Sequence, residues 1–290
     1  MYGKAKPQAA CPPTPDVRPI LAPRRVAVIA RDFQREITGG AGSFRDPEKG
    51  FAPHIQRAIR AASDNGADAV LFSLWSHNAS KFGELSPSDF FPRGTHHSTV
   101  ILGVVRRDGK TRKDREITEV WHRPSPAPFV FSQLFGKTSA RKASKKSLSE
   151  GLPQRQFGAV IVLLCGEVNI VKTQRSKRGI VDEFGFLRRL RDSGIECILN
   201  PIHTYMRRYE MGLKREALSR EAGRLISVWN RRSKKGAESK APWAVYRDGI
   251  MTKDAVREVA LPVPAQPGIR MGIIDLQDLN ERAGKERLLR

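Results

Sequence analysis

In residues 159–171, AVIVLLCGEVNIV, a cysteine closes an apolar run and is followed at once by glycine and glutamate. A thiol at the end of a buried strand can be brought outward by a tight turn and act as a nucleophile. It can equally stay inside as a small hydrophobe. Cys165 opens both readings, and Glu167 adds a carboxylate able to move protons or to orient the loop by accepting backbone N–H bonds. Cys197, within IECIL, fits the buried reading better. The chain's three cysteines are too few and too scattered for a disulfide framework or a Cys-x-x-Cys site. His96 and His97 are adjacent but lack a second cluster at ligand spacing, so no metal is expected.

The elements that must hold these residues alternate in type. RRVAVIARDF (24–33) reads as a buried strand, and HIQRAIRAASDNG (54–66) places Ile55, Ala58, Ile59 and Ala62 at helical spacing before an Asn-Gly stop. ADAVLFSLW (67–75) and STVILGVVRRDGK (98–110) read as strands, with REITEVWH (115–122) as the return strand after an Asp-Gly turn. From Arg123 to Gln156 the chain is rich in proline, serine and lysine and reads as a long basic loop or insertion (123–156). Beyond it come strand FGAVIVLLC (157–165), helix DEFGFLRRLRDSG (182–194), strand IECILNP (195–201), helix YEMGLKREALSREAG (209–223) and strand RLISVWNR (224–231). PWAVYRDG (242–249) and GIRMGIIDLQDL (268–279) supply two further strands and a terminal helix. The pattern implies one α/β domain over residues 24–280, between a proline-rich tail at 1–23 and a basic tail at 281–290. There is no GxxxxGK[ST], and GGAGS in the first loop does not make GxGxxG, so neither a P-loop nor a Rossmann site is expected.

Charge is the strongest compositional signal: 52 Lys and Arg against 30 Asp and Glu give the 290-residue chain a formal net charge of +22. Such an excess suits a polyanion or an acidic partner. The basic residues gather in GKTSARKASKKS (136–147), KTQRSKR (172–178), FLRRLRDSG (186–194) and NRRSKKG (230–236), not on one recognition helix. Nucleic-acid binding would therefore be non-specific and salt-sensitive. The apolar runs fall short of a bilayer span and the N-terminus lacks the apolar core of a secretory signal. No membrane partner and a cytoplasmic location are the expectations.

In this order, the segments resemble the nitrilase, or carbon-nitrogen hydrolase, superfamily along nearly the whole chain. RRVAVIARDF is similar to the family's first strand, IQRAIRAASDNGADAVLFSLW to its first helix and glutamate-bearing strand, and FGAVIVLLCGEVN to its nucleophile strand. LRRLRDSGIECILNPIHT, REALSREAGRLISVWNR, ESKAPWAVYRDG and GIRMGIIDLQDLNERAGKER resemble the segments that follow. The resemblance implies a single-domain four-layer α-β-β-α sandwich, assembled as a homo-oligomer. The activity it implies is thiol-mediated hydrolysis of a non-peptide amide or nitrile, with no metal or organic cofactor.

The family works with a cysteine, a glutamate and a lysine. Cys165 matches the nucleophile. The family glutamate follows an apolar strand, and here ADAVLFSL puts Ser73 and Leu74 where proline and glutamate are expected. His77 and Glu84 are the nearest substitutes in sequence. For the lysine, VWHRPSP offers His122 and Arg123, of which Arg123 could hold an oxyanion without the lysine's proton chemistry. Lys137, Lys142, Lys145 and Lys146 read as solvated charge. Glu167 sits where many family members carry an acid, and His203, in NPIHT, lies in a region that lines the family's pocket and is a candidate base or substrate contact. The expected catalytic set is thus Cys165 with Glu167, Arg123 and His203. Two functions stay open: a divergent carbon-nitrogen hydrolase, or a non-catalytic protein of this fold whose basic surface binds a polyanion or protein partner.

Overall fold

A computed structural model describes residues 21, 23–31, 51–108, 114–137, 139–174, 179–204, 209–230, 241–261 and 269–277. In chain order the strands are β1 (Arg25–Arg31), β2 (Ala69–Phe72), β3 (His77–Asn78), β4 (Thr99–Arg107), β5 (Asp114–His122), β6 (Phe129–Phe131), β7 (Gln156–Phe157), β8 (Val160–Val162), β9 (Lys172–Gln174), β10 (Gly179–Val181), β11 (Cys197–Thr204), β12 (Arg224–Asn230), β13 (Trp243–Arg247), β14 (Ile250–Thr252), β15 (Arg257–Val259) and β16 (Ile269–Asp275). The helices are α1 (Phe51–Asp64), α2 (Ala79–Phe82), α3 (Pro87–Phe90), α4 (Lys142–Glu150), α5 (Phe186–Asp192) and α6 (Tyr209–Glu221).

One sheet runs β15-β16-β1-β2-β4-β5-β6 with β3 beside β4, the other β14-β13-β12-β11-β8-β7, and β9 and β10 form a separate hairpin. The centres are parallel: β1, β2 and β4 in the first sheet, β8, β11 and β12 in the second. Parallel strands covered on both faces need apolar residues at successive positions, and alternation sorts those residues between two cores. In β1, Val26, Val28 and Ala30 face the other sheet while Ala27 and Ile29 face α1. In the second sheet, Val160, Val162 and Leu199 face inward, and Ile161 and Ile198 face the outer helices.

The outer cores complete four layers. Ile55, Ala58, Ile59 and Ala62 of α1 pack on Val70, Phe72, Val100 and Leu102. Leu148 of α4, Phe186 and Leu190 of α5, and Met211 and Leu218 of α6 pack on Ile161, Leu163, Ile198 and Leu225. The expected α-β-β-α sandwich is what the described residues form. Each buried aliphatic side chain contributes about 1.5–3 kcal/mol on leaving water. The positions of the strand ends are therefore held by the cores and not by the few polar side chains at the edge.

Two local expectations are corrected. The stretch 123–156 is not irregular, since it contains β6, α4 and a 3-10 turn over Leu152–Arg155, with Phe129, Phe135, Leu148 and Leu152 buried. Its polar composition hid the helix, because α4 presents Lys145 and Ser149 inward beside a lone leucine. The strand expected over 157–165 is broken near its start. Gly158, at φ 64°, reverses the chain so that β7 and β8 pair as a tight hairpin. The glycine loop at 39–42, the run at 231–236, most of the N-terminal tail and all of the C-terminal tail lie outside the described residues, as does the end of the last predicted segment. No helix among the described residues is long and apolar enough to cross a membrane.

Candidate active site

Cys165 follows β8 by three residues and begins a 3-10 turn over Cys165–Ile170. Leu164 belongs to the inter-sheet core, so strict alternation would send the next side chain to the opposite face. Cys165 instead adopts φ 34°, a left-handed conformation costing a non-glycine residue about 1–3 kcal/mol, and its half-buried thiol packs against the inter-sheet core. Gly166 is required beside it. A Cβ there would collide with the Gly136 backbone, which lies against the turn.

Two other strands deliver polar side chains to this edge. His203 follows Cys197 and Leu199 along β11 and lies beside Cys165, which helps raise its pKa. Glu116 lies on the same face of β5 as Val120, and its Oε2 accepts from His203 Nε2. The other carboxylate oxygen accepts the Trp75 backbone N–H at 2.6 Å. To reach it, Glu116 crosses Gly103 of β4, where a Cβ would collide with Oε1 and stand 3.0 Å from the Trp75 nitrogen. Trp75, itself at φ 58°, places its ring 4.3 Å from the His203 ring. The sheets are tied together here: Leu74 N–H donates to Ile202 O at 3.3 Å, and Asn230 Nδ2 donates to Leu74 O at 2.6 Å.

The electrostatics follow from this arrangement. Burial works against protonation of His203, but hydrogen bonds to Cys165 and Glu116 and their negative charge outweigh it, raising its pKa to about 9. The ring is thus held as an imidazolium at neutral pH, beside a cysteine and a carboxylate, an arrangement that can serve nucleophilic chemistry. Cys197 differs in every respect. It lies in the core, where burial pushes its thiol up to about 12.

The structure brings together Cys165 and His203 but separates the other predicted residues from them. Glu167 is 0% exposed. Its Oε1 accepts from Leu134 N–H at 2.8 Å and Arg155 Nη2 at 2.9 Å, and its Oε2 from Leu164 N–H at 2.8 Å. Burial pushes its carboxyl above the usual range and Arg155 pulls it back. Its part is to orient the loop. Arg123 follows His122, which pairs with Thr99 at the start of β4, whereas Glu116 pairs with Val105 near its end. Seven residues of strand, roughly 23 Å at ~3.3 Å per residue, put Arg123 at the opposite edge of the sheet from Glu116. There it stacks over Phe91 and points at Thr95.

The substitutes nearest in sequence are also engaged elsewhere. His77 Nε2 meets Gly83 O at 2.8 Å, with burial pulling its pKa down, and Glu84 takes the Arg106 guanidinium through both oxygens. Leu74, at the expected glutamate position, is core. Glu116 went unnoticed in the sequence, although a signal was present: in REITEV it shares the inward phase of the strand with Thr118 and Val120, and a carboxylate on a buried face calls for a partner. Among the described residues no cluster of His, Cys, Asp and Glu is arranged to hold a metal ion.

No family model and no curated protein matches the chain by sequence. Solved structures that follow its course are nitrilase-superfamily amidases. The amidase from Nesterenkonia sp. AN1, as a cysteine-to-alanine mutant described as belonging to the nitrilase superfamily, shares 12% identity over 92% of this chain and 97% of that one, at TM-score 0.47. A second structure of that amidase, a mutant with the acetamide moiety of fluoroacetamide added covalently at its active-site cysteine, shares 15% identity over 92% and 97%, at TM-score 0.44.

Proposed function

We propose that this protein is a divergent thiol hydrolase of a non-peptide amide, with Cys165 as nucleophile, His203 as proton carrier and Glu116 as the residue that orients and charges the imidazole. One observation carries the reading: His203 bonds the Glu116 carboxylate and lies beside the half-buried Cys165, and both raise its pKa to about 9. As the thiolate paired with the imidazolium, Cys165 attacks the amide carbon while the imidazolium gives its proton to the departing nitrogen, leaving a thioester, a neutral imidazole and a free amine or ammonia. The neutral imidazole then takes a proton from water as the oxygen attacks the thioester. Collapse expels the thiolate, releases the carboxylic acid and restores the imidazolium. A histidine does here what a carboxylate on β2 does in the family that the sequence resembles.

The test is release of ammonia or amine from a panel of small amides and nitriles by the full chain and by Cys165→Ala, with iodoacetamide labelling of Cys165 and Cys197 compared in the folded protein. Turnover that vanishes in the variant, with Cys165 labelled far faster than Cys197, is expected. No turnover on any substrate, together with equal labelling of the two thiols, would overturn the reading.

A further inference from the structure

We infer that Lys214 is a positioning residue for Cys165, acting through the Asn169 side chain and the Gly136 peptide. The inference rests on Cys165 being the nucleophile. Lys214 lies on α6 at 2% exposure, on the helix face that also buries Met211 and Leu218. A lysine ammonium buried in a core is costly to keep where methionine would pack as well. Its Nζ donates to Asn169 Oδ1 at 2.6 Å, and Asn169 Nδ2 donates to Gly136 O at 3.1 Å. Because an ammonium only donates, it dictates which end of the Asn169 amide faces it and turns the NH₂ toward Gly136.

Gly136 in turn lies against Gly166, the residue after the nucleophile, so closely that no Cβ fits between them. The left-handed φ of Cys165 is thereby held from below by a polar chain that begins on α6. Glu167 holds the other side of the turn to the same segment through Leu134. Without Lys214 the Asn169 amide loses the donor that faces its Oδ1, which weakens its hold on Gly136 and lets the strained turn relax away from His203.

The decisive variant is Asn169→Asp, which keeps an acceptor for Lys214 and hence the buried pair, but has no N–H for Gly136. Lys214→Met is its companion. In the full chain, both are expected to slow iodoacetamide labelling of Cys165 and to lower kcat about 10- to 100-fold, with KM changing less than about twofold. The thermal midpoint of Asn169→Asp should stay near that of the unaltered chain. Labelling and kcat unchanged in Asn169→Asp would overturn the inference, whether or not Lys214→Met folds. Absence of amide turnover in the unaltered chain would count against the proposed function alone, since labelling reads the turn independently.

Discussion

Two carboxylates stand near the same cysteine, and they come to it by opposite routes. Glu167 is two residues away in sequence, fully buried, and spends its oxygens on Leu134, Leu164 and Arg155. Glu116 comes from the other sheet, is part-exposed at 17%, and spends one oxygen on His203. The first shapes the turn and the second charges the site. Proximity in sequence places a carboxylate where it caps local backbone, because short-range geometry favours the nearest unsatisfied N–H groups. Proximity across two sheets is what lets a carboxylate face an imidazole from a third strand.

Breaking the comparison should separate activity from stability. The largest expected effect is on His203→Ala, which removes the proposed proton carrier and should lower kcat/KM by about 10²- to 10⁴-fold, measured as amine release. Its thermal midpoint should move less than that of the next variant. Glu167→Ala strands a buried guanidinium and two backbone donors, and should cost about 3–5 kcal/mol in denaturant titration. A Glu167→Ala protein with full stability and lost turnover would reverse the roles assigned to the two acids.

Smaller effects sharpen the same contrast. Glu116→Gln removes the charge but keeps the size, and losing a charged hydrogen bond of about 1.5–3 kcal/mol predicts a kcat fall of roughly 10- to 100-fold with the fold intact. Gly103→Ala should mimic it, because the new methyl occupies the path of the Glu116 carboxylate. Smallest is the pH response. With the His203 pKa raised from 6.5 to about 9, turnover should fall as pH rises through about 9, and in Glu116→Gln this limb should move to lower pH. The stabilisation from that raised pKa is complete below 6.5 and is lost through the same upper window. An unshifted alkaline limb in Glu116→Gln would break the link between the two residues.

Much of the fold was legible before any coordinates. Runs such as RVAVIAR and AVIVLL are buried on both faces, and the helix HIQRAIRAASDNG carries its apolar stripe and its stop signal, so the order of layers followed from periodicity. Cys165 and His203 drew notice in the sequence because each follows or ends an apolar strand run. Arg123 follows β5, a return strand antiparallel to β4, so it stands at the far end of that strand from Glu116, a separation no local pattern records. The helix at 142–150 was hidden because its inward face includes a lysine and a serine.

What the sequence determined by itself is the alternation of buried strands and helices and the thiol just past β8, since local spacing of apolar residues selects secondary structure and its buried face. What only the tertiary structure decided is the company that thiol keeps. Glu116 reaches His203 because two sheets pack face to face with their strand ends aligned and because Gly103 leaves a path. Those conditions depend on residues far apart in the chain, which no local pattern records.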